Sequence, residues 1–470
     1  VKKGLILSMA AIAVAAAVVS PYFIGQHVEQ VVQQQVEQLN QQAGYRASIT
    51  EYQGSWFKSS ATIAVQFDIA QLDPAAAADM PEFPPLSINL AIKHGPVLFS
   101  SQGLIGLAAW QADMEADSLR KHLTWAEDQP LYQLTGVTSL FGSHSFSDEI
   151  PALRFQERQH SHIQFSGYQG GGEITSNRIY YQGHANNLVG EENGENRLTL
   201  KDLRIEMDAD VSVSAMMEGG FYDSQTRLVL DQLAINVPGT DIGEVDAKGL
   251  AIEVQTTRNA DKATGDMHIA YLAKELKVAG YQSSDLALEV QMQNLNEGVM
   301  MEYQKLARSG DMADPQAMME FVEDNLPFAL EDSPALNLSK LSGTLPMGKF
   351  SGYINSQIKV ENVDDMFDGE WMRSDFWLNN LLVDAELTAD KEVLLFVAKQ
   401  QMLGQMQQAI DFGRLDKEQA EQIAEEQAPM MLEMIQQQGI LVETEQGYQS
   451  NFSLKEGEAL LNGEPMPLPL

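Results

Sequence analysis

The chain of 470 residues contains no cysteine. Disulfides, thiolate metal sites and thiol nucleophiles are thereby excluded together, so stability has to come from core burial and sheet hydrogen bonds. Positive charge is scarce too: 30 Lys and Arg stand against 66 Asp and Glu, a net charge of −36. Such a field repels phosphate backbones and no basic run opposes it, so no nucleic-acid partner is expected. Charged residues are only 20% of the chain and hydrophobic ones 44%, which argues against an acidic disordered protein and leaves material for a substantial core. There is no Gly-x-Ser-x-Gly nucleophile elbow. The glycine-rich run Gly167–Gly172 lacks a Walker lysine and a following helix, so it reads as a hairpin turn and not as a phosphate loop.

One long apolar run is present, and it lies at the beginning. Lys2 and Lys3 precede an uncharged stretch from Gly4 to Gly25 that includes Leu5, Ile6, Ile12, Val18, Val19, Phe23 and Ile24. At about 1.5 Å rise per residue this stretch spans roughly 30 Å, the thickness of bilayer hydrocarbon. The lysines predict an N-terminus in the cytoplasm and a body on the outer side of the membrane. Small residues at Ala13–Ala17 keep a cleaved signal peptide open as the rival to an anchor of the inner membrane; both readings give export. Val28, Val31, Val32, Val36, Leu39 and Ala43 then make one face of an amphipathic helix, expected either to pack on the protein's own sheet or to self-associate.

From Tyr45 onward the dominant period is two. Ile63, Val65, Phe67 and Ile69 alternate with polar or small residues, and Leu203–Met207, Leu233–Val237, Leu250–Val254 and Leu286–Val290 repeat the pattern at uneven spacing. The expected fold is α+β, mainly antiparallel β: a long curved meander with a helical hairpin and a C-terminal helix behind a single N-terminal transmembrane helix. The boundaries are 1–25 for the anchor, 26–44 for the amphipathic helix, 45–298 for the β body, 299–330 for the hairpin, 331–398 for more strand, 399–439 for the helical segment and 440–470 for a terminal hairpin. Asp314-Pro315 starts the second helix of the hairpin as N-cap and first turn. Asp416 with Gln419 resembles a capping box for a helix running through Pro429 to Gln438.

Several short motifs resemble the bacterial DUF945, or YdgA-like, family. They are Gly25-Gln26-His27-Val28-Glu29, the run Tyr52-Gln53-Gly54-Ser55-Trp56-Phe57-Lys58-Ser59-Ser60, then His94-Gly95-Pro96-Val97, and Leu461-Asn462-Gly463-Glu464-Pro465-Met466-Pro467-Leu468 near the end. Lys93 stands where the family's motif carries Asp before the histidine. The resemblance implies an inner-membrane protein facing the periplasm and supplies no reaction. The layout of one anchor and a β-rich body is similar to AsmA-like envelope proteins, thought to carry phospholipid along a β-lined groove; that likeness is of layout alone.

Candidate chemistry is sparse. His94, Gly95 and Pro96 read as a rigid turn held by the histidine, with a general base as the alternative. Asn462 and Gly463 read as a hairpin turn. His160 and His162 have the spacing of a strand-face metal pair, but no carboxylate ligand is attached to them by spacing, and no metal site, cofactor or catalytic residue is assigned. Methionine doublets at 216–217, 300–301, 318–319 and 430–431 serve either as core filling or as an adaptable apolar cover for a groove. The expected role is binding of lipid or another apolar ligand for envelope maintenance. The alternative is a scaffold or assembly factor acting through a homodimer or an envelope partner. A hydrolase centred on His94 is the third reading.

Overall fold

A computed structural model describes residues 29–34, 36–37, 39–40, 45–67, 86–100, 103–158, 161–192, 195–238, 243–278, 280–309, 314–360, 370–412 and 414–468. The expected membrane segment and Val28 lie outside them, as do His160, Ile69 and Gly239. Among the described residues no helix is long and apolar enough to cross a membrane. The chain divides into two compact units: residues 1–229 with 300–321, and residues 230–299 with 322–470.

The first unit is an antiparallel meander. Its first four strands are β1 (Tyr45–Gly54), β2 (Lys58–Phe67), β3 (Leu86–His94) and β4 (Val97–Ser100). After them come β5 (Gly103–Ile105), β6 (Ala108–Glu115), β7 (Leu123–Thr124), β8 (Tyr132–Thr138) and β9 (His144–Ile150). The rest are β10 (Leu153–Arg158), β11 (Ser161–Phe165), β12 (Tyr168–Ile174), β13 (Ile179–Glu192) and β14 (Glu195–Ala209). The ladder runs β1, β2, β3, β6, β8, β9, β12, β13, β14. The small hairpin of β4 and β5 stands apart from it, and β11 pairs with the far half of β13. A short helix α1 (Val213–Glu218), capped by the Ser212 hydroxyl, packs Met216 beside Ile179, Ala209 and Val211.

The glycine run is where the expected hairpin turn is corrected. Tyr168–Ile174 is a full strand between β9 and β13, and only Gly167, at φ 99°, belongs to the turn before it. Its glycines make room for side chains of adjoining strands, a demand that local sequence does not reveal.

The second unit repeats the plan. Strand β15 (Ser224–Val237) leads into β16 (Gly243–Asn259), β17 (Thr264–Val278), β18 (Tyr281–Asn296), β19 (Ala335–Leu345), β20 (Gly348–Ile358) and β21 (Leu381–Ala389). The last strands are β22 (Val442–Thr444), β23 (Gly447–Lys455), β24 (Glu458–Leu461) and β25 (Glu464–Pro465). Strands β16 to β21 pair in order, β21 pairs with β23, and the terminal hairpins extend from β23. The four alternating segments read from Leu203, Leu233, Leu250 and Leu286 all lie in strands.

The helical hairpin is present as α2 (Glu297–Ser309) and α3 (Pro315–Glu331), with Asp314 accepting from the Gln316 amide at the N-terminus of α3. A short helix α4 (Ser374–Asn380) was not foreseen; it buries Phe376 beside Leu330. Helix α5 (Lys391–Asp411) begins inside the stretch expected to be strand. Leu394 and Leu395 read locally like a buried strand, but they pack on Leu432, Leu441 and Tyr448. Helix α6 (Lys417–Gln437) buries Ala420, Ala424, Ala428 and Leu432, one residue per turn, so the two helices approach closely. Asp416 caps it through the amide of Glu418, not by a reciprocal box with Gln419.

Candidate functional site

Strand alternation sorts the first unit's sheet into two unlike faces. One cross-strand row reads Ser60, Ala91, Gln111, Thr135, Ser147, Gly171, Gln182, Glu206. The adjacent row, on the other face, reads Ile92, Trp110, Gly136, Phe146, Gly172, Tyr181, Met207. Aromatics there alternate with glycines on neighbouring strands. A Cβ at Gly136 would meet the Trp110 ring at 2.2 Å, and one at Gly183 would meet the Tyr168 hydroxyl at 1.9 Å. Each ring therefore lies over the next strand's glycine, and Phe146 and Tyr181 stack at 6.1 Å. Trp110, Leu134, Phe146, Ile150, Tyr168 and Tyr181 are all half-buried: among the described residues no second layer closes over the middle of this apolar face.

A polar centre is set into it. Asp148 is 8% exposed and accepts hydrogen bonds from Tyr181 Oη (3.2 Å) and Tyr132 Oη (3.4 Å), while Tyr168 and Tyr181 share a hydrogen bond between their hydroxyls. Burial raises the Asp148 carboxyl above its ordinary value, against the opposing pull of the tyrosine hydrogen bonds. Burial likewise pushes the Tyr132 phenol up to about 12, with the Asp148 charge adding to it, and moves Tyr181 and Tyr168 upward. The four groups form a proton-holding hydrogen-bond chain on an apolar floor. Sequence reasoning missed it because the four residues are scattered over 50 positions and meet only through register; the one visible sign was the glycine run.

The histidine turn is a closed structure. His94 is 2% exposed and Ser59 3%. Tyr52 Oη donates to Ser59 Oγ (3.2 Å), Ser59 Oγ lies 3.0 Å from His94 Nε2, and His94 Nδ1 lies 3.3 Å from the Trp56 carbonyl. With Nδ1 protonated every member of this chain is satisfied. The third partner is a backbone carbonyl where a catalytic triad has a carboxylate, and the serine is out of reach of a substrate. Gly95 is required because a Cβ would lie 1.6 Å from the Gly106 carbonyl oxygen. His94, Gly95 and Pro96 thus lock the β1–β2 turn to the start of β6.

Asn462 and Gly463 form the β24–β25 turn with φ of 52° and 85°. Asn462 does more: its Nδ2 donates to the carbonyls of Gly439 (2.7 Å) and Ile440 (3.1 Å), and its Oδ1 accepts from the Asn451 amide (2.8 Å). It ties the exit of α6 to the last strands. Of the histidine pair, His162 lies 3.2 Å from Glu191 on the adjoining strand. Among the described residues no group of three or more His, Asp or Glu is placed to hold a metal.

The second unit has the same division. Its apolar rows run Ile252, Tyr271, Leu288, Leu341, Gly352, Leu387 and Val254, Ile269, Val290, Leu338, Ile354, Ala385, Phe452. The opposite face carries Glu253, Glu289 and Lys340, the last two 3.3 Å apart. Tyr271 and Ile354 are each 45% exposed. Helices α5 and α6 pack at one end of the sheet, on Tyr448 and, through Phe396, against Tyr281. Met430 and Met434 point away from the sheet and are 59% and 55% exposed.

A family model described as "Bacterial protein of unknown function (DUF945)" matches residues 1–469. The chain belongs to the DUF945 family. The motifs at Tyr52–Ser60, His94–Val97 and Leu461–Leu468 are accounted for in this DUF945 member as two structural locks. No curated protein and no solved structure matches, and the resemblance to AsmA-like proteins is not shown.

Proposed function

We propose that this DUF945 protein is tethered to the bacterial inner membrane, faces the periplasm, and holds phospholipid acyl chains or another apolar ligand on its sheets. The observation that carries the reading is the half-exposed apolar face in each unit, floored in the first by aromatics lying over glycines. Monomeric proteins rarely leave apolar patches of this extent without a partner or ligand. The Tyr132–Asp148–Tyr168–Tyr181 centre supplies hydrogen-bond donors for a headgroup or hydroxyl, and Lys2 and Lys3 support the orientation of the tether. The role is binding, with no catalytic residue assigned. Photoreactive residues at Leu134 and Ile354, on the apolar faces, are expected to cross-link to phospholipid when the full chain is irradiated in membranes. The same probe at Thr135 and Asn355, on the opposite faces, is expected to give none. Equal labelling of both faces, or none on either, would sink the proposal.

A second reading, a non-catalytic scaffold or assembly factor, draws on exposed Met430 and Met434 of α6, an adaptable apolar surface for protein contact. Cross-links from those two positions to a second copy or to one envelope protein favour it.

A further inference from the structure

Turns at one edge of the first unit's sheet carry a cluster of apolar side chains that the sheet itself does not use. Lys58 pairs with Lys93, Ala108 with both His94 and Thr138, and Thr138 with His144. The β1–β2 turn, the connection from Gly95 to Leu107 and the β8–β9 turn therefore all leave the sheet at the same edge. They present Trp56 (45% exposed), Phe57 (60%), Leu104 (68%), Ile105 (67%) and Phe141 (99%). These turns are held firmly to one another: the His94 amide donates to the Phe57 carbonyl (2.9 Å), Gly95 to Leu107 (2.7 Å) and Leu107 to Thr138 (2.8 Å). The buried His94–Ser59 contact lies directly beneath them.

The charge at this edge is opposite to that of the rest of the chain. Residues 52–61, 90–112 and 134–147 contain no Asp or Glu, in a protein with 66 of them. Lys58 and Lys93 are exposed and directly opposed across the β2–β3 ladder, with no carboxylate paired to either among the described residues. Like charges so placed are unfavourable unless an anion is shared between them. Together with Gln53, Ser55, Ser60 and Gln111 they line an open pocket of about 440 Å³. Glu51, Asp113 and Asp148 border these segments in sequence. Beyond β9 the edge becomes acidic, with Glu173 and with Asp208 paired to Arg178, which limits the patch to β1–β9.

The chain also arrives at this edge. Val32 packs among Ala61, Ile92 and Ala108, near the turns, whereas Asn40 bonds to Ala47, which pairs with Val65 farther from them. The N-terminal helical stretch thus runs from the side of the apolar turns, and its first described residue, Glu29, is four positions after Gly25, where the uncharged run ends.

We infer that this edge is a membrane-contact surface: Trp56, Phe57, Leu104, Ile105 and Phe141 enter the interfacial layer of an anionic phospholipid bilayer, and Lys58 and Lys93 share its headgroup phosphates. Aromatic and aliphatic side chains on rigid turns, flanked by lysine, suit that layer. The inference rests on the tether of the proposed function and not on a ligand in the sheet, so the two fail separately.

The absence of cysteine makes the test clean. Phe57→Cys, Leu104→Cys and Phe141→Cys, with Asp128→Cys in the turn before β8 at the opposite edge as control, are each labelled with a polarity-sensitive fluorophore. The full chain is then reconstituted into vesicles of phosphatidylethanolamine and phosphatidylglycerol carrying brominated acyl chains. The expected result is blue-shifted, quenched emission at 57, 104 and 141, none at 128, and loss of that quenching in Lys58→Glu/Lys93→Glu or in phosphatidylcholine vesicles. Tip labels that stay unquenched overturn the inference, whether they remain in water or are shielded in native membranes by a cross-linkable protein. Quenching indifferent to both the lysines and the anionic lipid overturns the role of Lys58 and Lys93.

Discussion

Tyr132 shows how one side chain records its surroundings. Its phenol sits half-buried beside the Asp148 carboxylate, and both desolvation and that charge hold its proton, so it ionises only at about 12 against an ordinary value of 10. In the unfolded chain the phenol ionises at the ordinary value. Between pH 10 and about 12 the unfolded state has therefore lost a proton that the folded state keeps, and stability falls as pH rises through that window. Asp148 acts in the same direction at lower pH: its raised carboxyl favours the fold while protonated, and that contribution is lost as pH rises through its folded value. Tyr132→Phe is expected to remove part of the alkaline loss, read as a shallower fall of the urea midpoint with pH and as a missing late step in phenolate absorbance. An alkaline profile identical to that of the natural chain would contradict the placement of Tyr132 beside Asp148.

At the scale of elements, Asn462 connects three pieces: the exit of α6 at Gly439, the edge of β23 at Asn451 and the β24–β25 turn. Its left-handed φ of 52° adds a conformational demand that only Gly, Asn or Asp meets easily. Asn462→Ala loses the hydrogen bonds and strains the turn, an expected cost of about 2–3 kcal/mol. Asn462→Gly keeps the turn and loses only the side-chain bonds, about 1 kcal/mol. Urea unfolding reads both, and amide exchange is expected to quicken at the end of α6 in each. Equal losses for the two variants would mean that backbone conformation contributes nothing there. Helices α5 and α6 depend on close approach through Ala420, Ala424 and Ala428, and α5 also reaches β18 through Phe396 against Tyr281.

For the whole molecule the dominant fact is the charge of −36. The described ion pairs, such as Lys248–Glu275 and Lys277–Glu244, lie on exposed strands and add little each. Most carboxylates then repel one another through solvent. Raising salt from about 0.01 M to about 0.15 M shortens the screening length from about 30 Å to about 8 Å. The melting temperature is expected to rise over that range; a fall would mean that exposed ion pairs outweigh the repulsion.

The sequence by itself determined the strand alternation, the helical hairpin, the helix capped at Asp416 and the two family turns, because each is written in neighbours two to four positions apart. It also carried the family, through motifs short enough to survive on a single chain. Only the tertiary structure decided that Gly170 and Gly172 are a floor for Tyr181 and Phe146, that 391–398 is helical, and that Asp148 gathers two phenols directly and a third through Tyr181. Each of those depends on register between strands far apart in the chain, and a side chain's neighbour across a ladder is set by the summed lengths of every turn before it. The missing cysteines told what could not hold the fold together; how far each apolar strand face is covered was decided only by which elements pack on it in three dimensions.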